Sequence, residues 1–311
     1  MRDSYYKPSG SVSASFFGYY FLFLLLSVPI LSIAYIYAIH YIPLIYLNVI
    51  ITIGCGALLG LVVSFAAKKG KARNPVLVLV FTLLGVCILK YVQWGVYVPL
   101  VFSEVYGEYL GYRIPFFERF SETAFLLRSP AELLEMGKFI NEVGVWSAFD
   151  ADFTGIALLI VWIMEFVILA GIAAAFAWSQ PRQPFSEESN DWYTEKINEV
   201  YTIIPENIEA MKNELETGDY AGLVQLASHP RTDELNFLSL SFFLPPEDSK
   251  TEPHYMSIKQ STEKKKKSVM KDLVCYISID EKYVNEIKEN AEKAAQAAPE
   301  PNNELDSMVG E

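Results

Sequence analysis

The sequence predicts an α-helical membrane protein: a four-helix transmembrane bundle followed by a small cytosolic α+β domain with an antiparallel sheet. Three observations carry this reading. Four runs are apolar over about 20 residues or more, the length that crosses a hydrocarbon core of roughly 30 Å. The short loop between the second and third runs is densely basic, which marks the cytosolic side. Beyond the fourth run the apolar spacing changes from helical to alternating, the period of strands.

The first span is predicted over 16–39, where Pro29 kinks the helix without ending it. Its apolar core is too long for a signal peptide, and no small-residue cleavage site follows. The second span covers 44–67 and the third 76–101, after Pro75. The fourth covers 153–178, which closes a membrane domain over 1–178. Lys68, Lys69, Lys71 and Arg73 form the basic loop at the inner membrane surface, while the turn near His40 to Pro43 has no formal charge. Both termini are therefore expected in the cytosol, with the 102–152 loop outside.

Gly56 and Gly60 on the second span, with Ser64 one turn on, make a small-residue stripe that lets another helix approach closely. Packing inside the bundle is the preferred use; a homo-oligomer contact is the alternative. Two ionisable residues fall inside spans, Lys90 on the third and Glu165 on the fourth. Measured from the span centres their depths differ by only about 1.5 Å, so a buried ion pair is predicted. A lone charge there would cost roughly 2.5–3.5 kcal/mol. A structural pair fixing helix register is preferred to an ion relay or substrate site. A second structural alternative has Lys90 directed outward and Glu165 protonated. Asn48 and Gln93 are the other hydrophilic span residues.

The outer loop 102–152 reads as two short helices over the bundle. Ile114 to Phe120 mixes aromatic and charged residues, as an interfacial helix does. Ser129-Pro130-Ala131-Glu132 reads as a capping box opening a helix with Leu133, Met136, Ile140 and Val143 on one face, ended by Gly144.

The charge division is sharp. Residues 179–311 hold 14 basic against 26 acidic residues, and the 102–152 loop 4 against 9, whereas the rest holds 7 against 2. An acidic tail excludes general nucleic-acid binding, which needs Lys and Arg to displace phosphate counterions. Residues 179–190 read as a linker, 191–295 as the cytosolic domain and 296–311 as a disordered tail. Helical spacing is predicted over 191–227, interrupted at Gly218. Strands are predicted at 238–242, 255–258 and 273–279, the last with Leu273, Cys275, Ile277 and Ile279 on one face, about three in all. A helix from Glu281 to about Ala295 follows. Lys264, Lys265, Lys266 and Lys267 fall in a hairpin loop; a solvated turn is preferred to docking on the anionic inner leaflet.

The three cysteines, Cys55, Cys87 and Cys275, and the three histidines, His40, His229 and His254, show no metal-ligand spacing. No catalytic motif or glycine-rich phosphate loop is legible, so neither an enzyme nor a cofactor is expected. Two stretches flank the last span: Ile140 to Ser147 before it, and Pro184-Phe185-Ser186-Glu187 with Trp192 after it. On these the chain resembles a group of uncharacterised bacterial four-span membrane proteins with a cytosolic C-terminal domain. In that group the second stretch reads Pro-Phe-Cys-Glu-x-Cys. Ser186 and Ser189 stand here in the cysteine positions, which removes a metal or thiol role for the pair. The resemblance implies a bacterial inner membrane and supplies no activity. The expected function is a membrane-anchored interaction or sensor module presenting residues 191–295 to a protein partner. A subunit of an oligomeric transporter or channel using Lys90 and Glu165 is the alternative, and a membrane-embedded enzyme ranks third.

Overall fold

A computed structural model describes residues 4–42, 44–104, 114–144, 147–148, 151–229, 235–249, 251–264 and 267–297. The chain divides into two compact units, Ser9–Arg182 and Met1–Pro8 with Gln183–Glu311.

Among the described residues of the first unit four helices are long and apolar enough to cross a membrane: α1 (Ala14–Tyr41), α2 (Ile45–Lys69), α3 (Pro75–Glu104) and α6 (Gly155–Trp178). At 1.5 Å per residue each is about 36 Å or longer, more than the hydrocarbon core requires. This is a multi-pass membrane protein. α1 buries Phe16, Tyr20, Leu24 and Val28, one residue per turn, against its neighbours, while Leu22, Leu25, Leu26 and Ile30 are exposed as lipid-facing side chains. Pro29 lies inside α1 and Pro99 inside α3 without ending either helix. α1 packs on α2 and α3, and so does α6, which puts α1 and α6 at opposite corners of the bundle.

Two shorter helices, α4 (Phe116–Arg128) and α5 (Pro130–Val143), pack on α3. Leu126, Leu133 and Ile140 form a small core with Val98 and Val101 of α3. The capping box expected at Ser129 does not close. The residue has ψ 71°, outside the extended region that aims a cap hydroxyl at the helix amides, and it makes no side-chain cap bond. Gly144 ends α5 at φ +79°. A two-residue hairpin, β1 (Ser147–Ala148) with β2 (Ala151–Asp152), precedes α6.

The C-terminal unit is an α+β domain. Residues 179–190, expected to be a linker, carry ordered structure: a 3-10 turn Gln180–Arg182 at the end of the first unit, then β3 (Phe185–Ser186), which pairs with β4 (Asp191–Trp192). Phe185 and Ser186 are buried, and the Phe185 and Trp192 rings meet edge to face. The main sheet has four antiparallel strands in sequence order rather than three: β5 (Thr194–Thr202), β6 (Phe237–Leu244), β7 (His254–Lys264) and β8 (Lys267–Ile279). β5 falls where helical spacing was predicted. A register shift between Lys196 and Val200 breaks the two-residue period there and imitates a helical interval. The helices α7 (Ile208–Thr217), α8 (Ala221–Ala227) and α9 (Glu281–Ala297) share a core with the sheet, built on Leu215, Leu223, Leu240, Ile258, Ile277 and Ile287. Gly218, at φ +84°, separates α7 from α8.

The face predicted for β8 is corrected as well. Val274, Ile277 and Ile279 are buried and Cys275 is exposed. A bulge opposite Ser257 shifts the phase, with Tyr276 at φ +55° donating its amide to Ser257 Oγ at 3.0 Å. Lys264 and Lys267 are the last ladder pair of the hairpin; Lys265 and Lys266 lie outside the described residues, as do residues 298–311, which include most of the expected disordered tail.

An unexpected bridge ties the N-terminal segment to the domain. Tyr5 bridges Ile277 in antiparallel fashion, with Tyr6 N donating to Tyr276 O at 2.9 Å and Ser278 N to Ser4 O at 2.7 Å. Tyr5 also donates its hydroxyl to Glu216 at 2.8 Å; burial, with the carboxylate beside it, pushes this phenol up to about 12. On the opposite face Tyr6 packs against Tyr255 and Tyr276.

Candidate functional site

The four spanning helices each bring one polar side chain to a common point. Lys90 on α3 donates its ammonium to Glu165 Oε1 on α6, and Tyr35 on α1 donates its hydroxyl to the same oxygen. Thr52 on α2 lies with its Oγ1 3.0 Å from the Tyr35 hydroxyl and donates to Asn48 O at 2.8 Å. The Lys90 ammonium also sits 5.2 Å from the centre of the Tyr35 ring, a cation–π distance. Lys90 and Glu165 are largely buried, their side chains 15% and 23% exposed. The alternative in which Lys90 is directed outward is not the arrangement adopted.

The node faces a cavity of about 570 Å³ lined by all four helices, within the usual range for small-molecule sites. Asn48 and Gln93 line it with the node, His40 lies toward its α1 end, and Trp94, Tyr97 and Trp162 make an aromatic wall. Gln93 is 1% exposed, and its Oε1 has no partner among the described residues; the same holds for Asn48 Oδ1. Trp94 and Trp162 meet edge to face at 4.7 Å, and both pack on the core that α4 and α5 form with α3. The two short helices thus brace one wall.

Local sequence explains the assembly. Lys90, Gln93, Trp94 and Tyr97 follow the 3–4–7 spacing of one helical face, and Asn48 and Thr52 are one turn apart. Tyr35 and Thr52 are not singled out by residue type, because both are ordinary in spans. The legible signal for them is phase and depth: each shares a helix face with another cavity residue.

The glycine stripe works inside the bundle. A Cβ on Gly56 would stand 2.8 Å from Leu169 O, and one on Gly60 2.5 Å from Ala173 O, both on α6. Ser64 is half-buried one turn further on. This contact seats α6, and with it Glu165, against α2. In the basic loop Lys68 and Lys69 are exposed and Lys71 is half-buried, but Arg73 is buried, with its Nε donating to Ser9 Oγ at 3.2 Å. Arg73 thus also clamps the segment before α1.

Ser186 and Ser189 belong to the C-terminal unit, where Ser249 joins them. The three hydroxyls lie 2.8–3.0 Å apart, with Ser189 N also donating to Ser186 Oγ. They cross-link two turns through hydrogen bonds. Among the described residues no three His, Cys, Asp or Glu side chains converge as metal ligands do.

Fold and site together define a class: a multi-pass membrane protein whose spans line a mostly apolar cavity around a polar node and whose C-terminal domain pairs with the segment Ser4–Tyr6. Comparison with protein-family models, curated proteins and solved structures found no match.

Proposed function

We propose that the chain is a membrane-anchored sensor: its bundle binds a small molecule at the Lys90–Glu165 node, and its acidic C-terminal domain presents the bound state to a protein partner through residues 191–295. The observation that carries this reading is the convergence of one polar side chain from every spanning helix on a single cavity. A structural ion pair needs only two helices and dry walls. Polar contributors from four helices around open space suit recognition.

The connectivity supports an output. The two units join at Pro8–Ser9 and at Arg182–Gln183, and those joints lead to α1 and α6, which supply Tyr35 and Glu165. A ligand that changes the spacing of these helices acts on both attachments. Orientation in this reading follows the exposed Lys68 and Lys69, which favour the cytosolic surface, against the turn near His40 to Pro43, which carries no formal charge. Pairing of Ser4–Tyr6 with β8 supports having both ends on one side, as an even number of crossings would. The resemblance around Pro184 to Trp192 supports a bacterial inner membrane.

The test is a pull-down from solubilised membranes comparing the full chain, a chain ending at Arg182 and the Glu165→Gln variant. Partners should vanish with the tail and change in amount with Glu165→Gln. A partner set indifferent to the tail overturns the reading. The mid-depth cavity also favours a second reading, a subunit of an oligomeric transporter or channel, in which Glu165→Gln abolishes flux with the protein still folded. Such an oligomer would use lipid-facing surfaces, since α6 occupies the Gly56–Gly60 face.

A further inference from the structure

Resting on the reading of the cavity as a ligand site, we infer that its ligand is a small zwitterion with an apolar body, of the α-amino-acid type. The argument begins with charge. Lys90 and Glu165 neutralise each other, and Ile36, Ile39, Val49 and Leu158 surround them with apolar surface. A ligand of net charge entering this site leaves one uncompensated charge in low dielectric, whereas a zwitterion adds a cation and an anion and keeps the sum at zero.

The unfilled bonding capacity has both signs. The two bonds made to Glu165 fall on Oε1, which leaves Oε2 with no hydrogen bond among the described residues, and Glu165 lines the cavity. Asn48 Oδ1 and Gln93 Oε1 are further acceptors without partners among the described residues, and Gln93 is fully buried. Buried acceptors of this kind are costly unless a donor meets them. A ligand ammonium supplies three N–H donors to Glu165 and the two amides. The Lys90 ammonium makes one hydrogen bond, to the Glu165 carboxylate, and retains N–H groups for a ligand carboxylate. The aromatic wall of Trp94, Tyr97 and Trp162 receives the apolar body, and about 570 Å³ holds one of moderate size. The ion pair thus sets the electrostatic rule of entry, and the wall sets the shape.

The experiment uses the full chain in lipid nanodiscs and three probes of nearly equal shape: L-phenylalanine, 2-phenylethylamine and 3-phenylpropionate. Binding is read by equilibrium dialysis and by a change in tryptophan fluorescence, to which Trp94 and Trp162 contribute two of five indoles. L-Phenylalanine is expected to bind, and each singly charged analogue to bind on the order of a hundredfold more weakly, the discrimination a lone intramembrane charge produces. Lys90→Met should invert the preference toward the amine, and Glu165→Gln toward the carboxylate. Equal binding of a singly charged analogue to the wild-type chain overturns the proposal, as does failure of L-phenylalanine and L-leucine alike to bind. The wild-type panel decides the matter even where a variant does not fold. Partner recovery that responds to Glu165→Gln while neither amino acid binds would leave the sensor reading standing and this ligand class refuted. Zwitterion binding without any tail-dependent partner would do the reverse.

Discussion

At Tyr35 a phenol crosses the bundle diagonal from α1 to a carboxylate on α6 that already holds the Lys90 ammonium. Each group limits what its neighbours can lose. Tyr35→Phe removes one hydrogen bond and keeps the ring under Lys90, so it should lower stability by about 1 kcal/mol with the fold retained. Lys90→Met and Glu165→Gln each strand a partner, and the double variant strands none. Thermal unfolding in detergent should therefore show the double variant less destabilised than the sum of the singles, with a coupling of about 1–3 kcal/mol. Additive losses would mean that the two charges do not interact. The sequence makes Lys90 and Glu165 legible because charge is rare in spans. It leaves Tyr35 and Thr52 among many similar residues, since their role arises only where four helices meet.

At the scale of the element, α2 and α6 approach through glycine, and the approach has a direct test. Gly60→Ala pushes a methyl group against Ala173 O and the Phe176 Cβ, 2.5 and 2.7 Å from its position, and should destabilise the bundle by about 1–3 kcal/mol. Gly54 has nothing within 4 Å of a Cβ, so Gly54→Ala should be neutral in the same thermal assay. The four spans are readable because length and hydropathy suffice for a helix in lipid. The domain strands are less so, because bulges break the period that reveals them. β5 loses its alternation between Lys196 and Val200, and β8 changes face at Tyr276. The bridged segment Ser4–Tyr6 is illegible for another reason: its partner lies more than 260 residues further along the chain, and a short polar-aromatic segment before a span carries no period at all.

Over the whole molecule, the cysteines report sidedness. Cys275 is exposed on the C-terminal domain, Cys55 is buried in the bundle, and Cys87 is exposed on a spanning helix, where lipid rather than water surrounds it. A membrane-impermeant maleimide should thus leave intact cells unlabelled and modify Cys275 once the membrane is opened. Labelling of intact cells would reverse the proposed orientation. The bridge at Tyr5 adds a matter of timing. Tyr5 leaves the ribosome about 270 residues before Ile277, its partner in the sheet, an interval of roughly 15–50 s at ordinary elongation rates. During that wait all four spans enter the membrane and the first residues stay unpaired. That sheet edge closes only once β8 has been made, after all four spans, so a nascent protein stalled before β8 keeps Ser4–Tyr6 open to proteases.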